Sequence, residues 1–338
     1  IFVREEQGRK LEMFQESSAP AIFPETEEPM LAGRSRSRSP HRQSLTPHFV
    51  GDVVAQRKTV TCQSTQTLGD ACDAMMKEGR TSAVILDEEG LVKGVLTEND
   101  ILTAFMDGRG VGLSISSWLD SRYARLPESI LPSMTLKHDQ PLIEVARIMM
   151  KEAEKDSGHA CHHVLVSKPG CKLYLLSALD IAMALIGDPG DMDEADTAHT
   201  KVSTVMKRRD HMASCKLSDK LSEACEIMLQ EKQNMVLVMD ADAHPGSQIC
   251  GVITPADAMR TFSESVSSED VTVGSWLSAQ PEERCIPEFK TLSDAATKMS
   301  ESGTHHLIVL SKQANEVAGV ISALDIARAL GHHSDWLL

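Results

Sequence analysis

Gly319-Val320-Ile321-Ser322-Ala323-Leu324-Asp325 and, earlier, Gly251-Val252-Ile253-Thr254-Pro255-Ala256-Asp257 share one pattern: a short apolar run that ends in Ser/Thr-x-x-Asp. Gly94-Val95-Leu96-Thr97-Glu98-Asn99-Asp100 is a third copy, and Leu173-Tyr174-Leu175-Leu176-Ser177-Ala178-Leu179-Asp180 is a fourth that lacks the glycine. Apolar runs of this length, flanked by turn signals, read as strands buried on both faces. A helix follows each copy, beginning at Ile101, Ile181, Ala258 and Ile326.

The same order of features precedes each run. First comes a helix stripe at i, i+3, i+4, i+7: Leu68, Ala71, Cys72, Met75; then Leu142, Val145, Ala146, Met149; then Leu221, Ala224, Cys225, Met228; then Leu292, Ala295, Ala296, Met299. Thr65, Asp139 and Ser218, three residues before the first three leucines, are expected to cap those helices, and Thr291 the fourth. A first apolar strand follows at 83–86, 163–166, 235–238 and 306–309, and then a turn rich in Asp, Gly, Pro or Asn. Chance does not set one helix stripe, two strands and one tetrapeptide in order four times, so the chain is a repeat protein.

The repeats also pair. Ser117-Trp118-Leu119 is expected to lead into the second unit and Ser275-Trp276-Leu277 into the fourth, whereas the first and third begin near Val50 and Val202 without Trp. The expected fold is therefore α/β (α+β): four helix–strand–strand–helix repeats paired into two pseudo-two-fold modules, 49–190 and 200–332. The sheet of the first unit should pack on that of the second, and the third on the fourth. The two Trp residues read as large core plugs.

The 338 residues carry a formal net charge of −15, with 41% hydrophobic and 25% charged residues. A broad acidic balance argues against nucleic acid as a partner, because phosphate backbones need clustered Lys and Arg. No apolar run approaches the roughly 18 residues of a membrane helix. The eight cysteines lack a framework spacing and read as thiols of a reducing, cytoplasmic compartment. The sequence starts at Ile1, so an upstream organelle-targeting signal is left open. Residues 1–48 hold five prolines, a Glu cluster and the strip Arg34-Ser35-Arg36-Ser37-Arg38-Ser39-Pro40-His41-Arg42, and are expected to form a disordered tail. The strip reads either as a solvated linker or as a phosphorylation switch.

Gly-Val-Ile-Ser/Thr-x-x-Asp before a helix, in this order of elements, resembles the cystathionine-β-synthase (CBS) domain family over residues 49–332. The layout is similar to the gamma-type regulatory subunits of AMP-activated protein kinases. The resemblance implies two Bateman-type modules with clefts between repeats that bind AMP, ADP or ATP as regulatory ligands, with no cofactor required. It also implies a protein partner, such as a kinase, another enzyme or a larger complex. A second copy of the chain is a further candidate.

The residues allow more than one chemistry. Thr97 with Asp100, Ser177 with Asp180, Thr254 with Asp257 and Ser322 with Asp325 each fit a capping box. In the family this Asp also takes ribose hydroxyls, and the free amides of the helix start can meet phosphate. His162 and His163, and His305 and His306, stand at the start of the first strand in the second and fourth units. In the kinase gamma subunits a His and a basic residue stand there and contact phosphate. Phosphate contact, a structural role and a metal site near His159, Cys161 and Cys171 all remain open, although no ligand spacing supports the metal. No Gly-rich phosphate loop, nucleophile elbow or paired nucleophile and base is present, so an enzyme is not expected. Two functions stand side by side: an adenine-nucleotide-sensing regulatory subunit, favoured by the four Asp and two His pairs, and an assembly subunit with degenerate clefts, favoured by the odd units' lack of a basic residue there. Limited proteolysis of the whole chain should cut first within Arg34–Arg42, and protection of that strip would move the domain boundary.

Overall fold

In a computed structural model, residues 49–54, 59–123, 135–154, 162–167, 174–186, 199–240, 249–264, 271–277, 282–312 and 316–333 are described. After α1 (Val50–Val54), the first repeat runs β1 (Thr61–Gln63), α2 (Leu68–Lys77), β2 (Ser82–Leu86), β3 (Val92–Thr97), α3 (Glu98–Met106). After α4 (Ile115–Tyr123), the second runs β4 (Thr135–Lys137), α5 (Leu142–Glu154), β5 (His163–Ser167), β6 (Tyr174–Ser177), α6 (Ala178–Ile186). The third has α7 (Val202–Val205), β7 (Lys207–Arg208), β8 (Ser214–Lys216), α8 (Leu221–Gln230), β9 (Val236–Met239), β10 (Ile249–Ile253), α9 (Pro255–Ser263). After α10 (Val273–Trp276), the fourth has β11 (Cys285–Pro287), α11 (Leu292–Ser302), β12 (His306–Leu310), β13 (Val317–Ser322), α12 (Ala323–His333). The expected tail, 1–48, lies outside the described residues, as do His159, Cys161 and Cys171.

The eight expected strands and eight expected helices are present, and each repeat adds a short strand that the sequence reading lacks. β1, β4, β8 and β11 are three residues long and pair in parallel with the strand after the next helix. Each buries its middle residue, Cys62, Leu136, Cys215 or Ile286, which is too little apolar pattern to announce a strand. The hairpins β2–β3, β5–β6, β9–β10 and β12–β13 are antiparallel. The helix stripes are buried as expected: Leu68, Ala71, Cys72 and Met75 have no exposure, and the other three sets at most 1%.

The expected caps stand two residues too early. Thr65 and Ser218 lie in the preceding turns, and so does Asp139. The helices begin at the leucine itself, so the cap is the residue just before it. Thr67 accepts from Asp70 N–H and, as expected, Thr291 accepts from Asp294 N–H, each returning a capping box. Lys220 precedes α8, with the Glu223 carboxylate taking its backbone N–H at 2.9 Å.

The tryptophans also sit elsewhere than the sequence suggests. α4 does not open the second repeat but closes the first: Ser114 bridges to Thr67, Ile115 N–H reaches Gln66 O at 2.8 Å, and Trp118 and Leu119 are buried with Leu68 and Met75. α10 does the same for the third repeat, where Trp276 Nε1–H donates to Asp257 O at 3.2 Å and the Arg260 guanidinium sits 4.4 Å above the indole. In exchange, α1 and α7 serve the even repeats: Phe49 bridges to Pro141 and Lys201 to Thr291, with Val50 and Val202 fully buried there. Sequence adjacency suggested the nearer unit, but the apolar faces are completed crosswise.

Sheets pack within each pair and helices pack across pairs. Met235, Leu237 and Val252 of the third repeat meet Ile308 and Val320 of the fourth, and β2 lies against β6. Across the pairs, α9 lies on α2 and α3, bringing Met259 and Phe262 into the first repeat's core while Leu102 enters the third's. α5 and α6 share one core with α11 and α12, in which Ile181, Met299 and Ile326 are fully buried. Burying a side chain such as Phe262 contributes about 1.5–3 kcal/mol.

The fourth sheet alone gains an extra strand among the described residues: β7 pairs with β13, Lys207 opposite Val320 and Arg208 opposite Gly319. A Cβ at Gly319 would sit 2.2 Å from Lys207 O, so only glycine admits that strand. Gly319→Ala should therefore lose about 1–3 kcal/mol in urea unfolding. Gly112→Ala, where a Cβ would meet nothing within 4 Å, should stay within about 0.5 kcal/mol. Equal stability of the two variants would contradict this packing.

Candidate functional site

Each Ser/Thr-x-x-Asp ends a strand and starts a helix with one set of bonds. Thr97 keeps extended backbone angles, φ −121° and ψ 165°, so it belongs to β3 while capping α3. Its N–H and hydroxyl both donate to Asp100 Oδ2, at 2.8 and 2.7 Å. Ser177 does so to Asp180 at 2.8 and 2.8 Å, Thr254 to Asp257 at 2.9 and 2.9 Å, and Ser322 to Asp325 at 2.9 and 2.6 Å. The hydroxyl proton is thus committed within the box, which leaves the carboxylate's other oxygen outside it; in Asp100 and Asp180 that oxygen is buried. In the second pair that oxygen has a cation at i+3: Arg260 lies 3.9 Å from Asp257 Oδ1 and Arg328 4.0 Å from Asp325 Oδ1. Arg260 is held by donating to Trp276 O at 2.7 Å.

The His pairs are hydrogen-bonded to these helix starts. Ala178 N–H donates to His162 O and Ala323 N–H to His305 O, both at 2.9 Å. In the hairpins His163 lies opposite Ser177 and His306 opposite Ser322. In the first repeat the equivalent carbonyl is that of Thr81, which takes Glu98 N–H at 2.9 Å.

The four repeats meet around these histidines. His163 Nε2 and Thr81 Oγ1 are 3.2 Å apart, joining the first repeat to the second. Asn99 Nδ2 donates to Asn234 Oδ1 at 3.3 Å, and Asn234 Nδ2 contacts His162 Nε2 at 2.8 Å. Since the Asn234 oxygen is taken by Asn99, its amide nitrogen is the donor toward His162, whose Nε2 then accepts and whose ring proton sits on Nδ1. Burial holds His162 well below the ordinary imidazole range, helped by His163, His306, His305 and Arg328. Burial and His305 bring His163 down to about 3. Burial, His305 and Arg284 do the same for His306, to about 3. The rings of His162, His163 and His306 are therefore neutral at pH 7. Glu98, at the facing starts of α3 and α9, is pushed up to about 8 by burial and by Asp257.

One cleft gathers several of the expected residues. Ser177, Asp180 and His163 of the second repeat face Thr59, Arg80 and Thr81 of the first, with His305 reaching in from the fourth. Its cavity is about 40 Å³, room for a few waters and far from the roughly 300 Å³ at which small-molecule pockets begin. A second, open groove of about 860 Å³ runs past Ser203, Thr204, Lys207, Arg208, His211 and Glu231, none of them an expected site residue. The Lys207 amine is lowered by burial, against the pull of Asp325 and Glu231. Sequence reasoning missed Arg80, Thr81, Asn99, Asn234 and Arg328. Thr81 and Asn234 carried a signal, since they occupy in the odd repeats the place that His162 and His305 hold in the even ones. Among the described residues no group of three or more His, Cys, Asp or Glu could hold a metal, and no helix is long and apolar enough to cross a membrane.

The CBS domain family model matches residues 50–107 and 278–332. A protein of Methanocaldococcus jannaschii, described as a candidate archaeal homologue of g-AMPK, superposes with a TM-score of 0.60 at 15% identity, over 83% of this chain and 99% of its own. An uncharacterised conserved protein of Pyrococcus horikoshii does so with a TM-score of 0.49 at 14% identity, over 83% and 99%. At 15% identity the likeness to the Methanocaldococcus jannaschii protein is one of fold. No curated protein matches the chain in sequence.

Glu98 offers a test of this geometry. A carboxyl whose folded value is raised binds its proton more tightly in the folded state, so it weakens the fold as pH rises from 4.5, its ordinary value, to about 8. Glu98→Gln should match the parent in stability near pH 4.5 and exceed it increasingly toward pH 8, measured by urea unfolding at a series of pH values. A constant difference across that window would mean that Glu98 is solvated.

Proposed function

The chain carries CBS domains, and on that premise we propose that it is a non-catalytic regulatory module that senses adenine nucleotides and passes their occupancy to a protein partner. The observation that carries this reading is the convergence of Asp180, His163, His305 and Arg80 on one cleft between two repeats. A carboxylate suits the paired hydroxyls of a ribose, and Arg80 suits phosphate. Phosphate needs such a group locally, because the chain's net charge of −15 opposes any anion. The Asp180 cleft is the leading binding place. Asp100, Asp257 and Asp325, each with its Thr or Ser, are the repeats' equivalents, and AMP, ADP or ATP is the ligand class.

The histidines contribute as acceptors of a proton rather than as standing cations. His163 is neutral when the cleft is empty, because burial opposes its charge. An arriving phosphate would supply the missing counter-charge and draw a proton in. Binding should then tighten as pH falls from 7.5 toward 6.5, with net proton uptake.

The second reading, an assembly subunit with closed clefts, has its own support. A cavity of about 40 Å³ must open before it can admit a nucleotide. The two readings separate in a thermal-shift titration of the whole chain with AMP, ADP, ATP and S-adenosylmethionine. Nucleotide at 100 times its Kd should add about 2.7 kcal/mol of stability. Asp180→Ala should abolish most of that gain, and His163→Ala should weaken affinity about tenfold, the scale of losing one hydrogen bond to a charged group. No shift with any of the four compounds would favour the assembly reading.

A further inference from the structure

The centre of the molecule has a property that does not depend on nucleotide. His162 and His163 belong to the first pair of repeats, and His305 and His306 to the second. The bond between Asn234 and His162, 2.8 Å, therefore crosses from one pair to the other, as does the 3.3 Å bond between Asn99 and Asn234. A chain of amide, amide and imidazole thus links three repeats at the place where the two halves meet. We infer that this centre is a proton-sensitive lock between the two pairs of repeats: neutral rings hold them together, and protonated rings loosen them.

The reason lies in bonding and in charge. Protonating His162 turns Nε2 from acceptor to donor, so it opposes the Asn234 amide. Relief requires turning the Asn234 amide and, with it, the Asn99 amide. The charge meets mainly like charge. The groups acting on His162 are three other imidazoles and Arg328 of α12, and those acting on His306 are His305 and Arg284, just ahead of β11. His163 faces His305 and the hydroxyl of Thr81. The Asp180 carboxylate, which shares a cleft with His163 and His305, keeps its charge while Oδ2 accepts from the N–H and hydroxyl of Ser177, and it is the counter-charge that works against opening. Added protons on these rings therefore repel one another and Arg328 and Arg284 across the seam between the pairs, against the pull of Asp180.

The sign follows from linkage. His163 and His306 are lowered from 6.5 to about 3 in the folded state, so the opened state binds protons first as pH falls below 6.5. At pH 5.5 each such ring favours opening by about tenfold. Overall charge acts in the opposite direction, because acid reduces the repulsion of a chain at −15. A loss of cross-pair contact on acidification would thus be specific to the centre.

Hydrogen exchange on the whole nucleotide-free chain, corrected for intrinsic rates, tests this at pH 7.5 and 5.5. Protection of α3, α9, α6 and α12, the helices packed across the pairs, should drop at least about tenfold at pH 5.5, while the β2–β3 and β12–β13 hairpins hold. The triple variant His162→Gln, His163→Gln and His306→Gln removes the three lowered rings, so the centre loses the titration assigned to them, and it should retain most of the protection. If that variant does not fold, histidine NMR on the parent chain decides instead: ring protonation and loss of helix protection should share one midpoint. The inference is overturned by unchanged protection in the parent, by equal loss in the variant, by loss spread evenly over helices and hairpins, or by separate midpoints.

Discussion

The fold depends on one small interaction made four times. At the end of each hairpin an Asp three residues on takes up the N–H and the hydroxyl of the strand's last residue or, at Thr254, of the residue just after it. Without it the chain would leave a strand and enter a helix with buried donors unmet, a cost of about 1–3 kcal/mol each. With it, the strand becomes the cap, and no loop is needed between β3 and α3, β6 and α6, β10 and α9, or β13 and α12. Every helix that packs across the pairs through its first turns is aimed by that join. The second bond, from the helix's first N–H to the residue ahead of the hairpin's first strand, fixes the histidines against the same join.

This economy explains why structure and chemistry are hard to separate here. The oxygen of Asp180 that caps the helix and the oxygen that could meet a ribose belong to one carboxylate. A variant at that position therefore perturbs both, which makes Arg80 the cleaner probe of ligand contact. The odd repeats do without histidine at the matching position, but they are not inert. Thr81 and Asn234 stand there and hold the even repeats' rings through hydrogen bonds of 3.2 and 2.8 Å. The asymmetry between odd and even repeats is thus a complementarity, with the even repeats supplying imidazoles and the odd ones the groups that orient them.

Much of this was legible from residues alone. The hairpins, the buried helix stripes and the boxes at Asp100, Asp180, Asp257 and Asp325 follow from apolar period and cap chemistry, which act over a few residues. What escaped acts over long separations. The Asn99–Asn234 and Asn234–His162 bonds join residues 135 and 72 positions apart. Trp118 follows the first repeat in sequence and returns to plug its core, and nothing local distinguishes that from leading into the second. The three-residue strands escaped because a single buried side chain leaves no period to read. Gly319 stood in plain view within the repeated motif, yet its use, admitting the backbone of Lys207, needs the fourth sheet's extra strand to be seen.

A structure determined from crystals of the chain grown with AMP tests the central claim most directly. The account predicts the ribose hydroxyls on the Asp180 carboxylate and the phosphate toward Arg80 and His163. The cleft between the first and second repeats should widen well beyond its about 40 Å³. A cleft left closed, with nucleotide elsewhere or absent at saturating AMP, would contradict it.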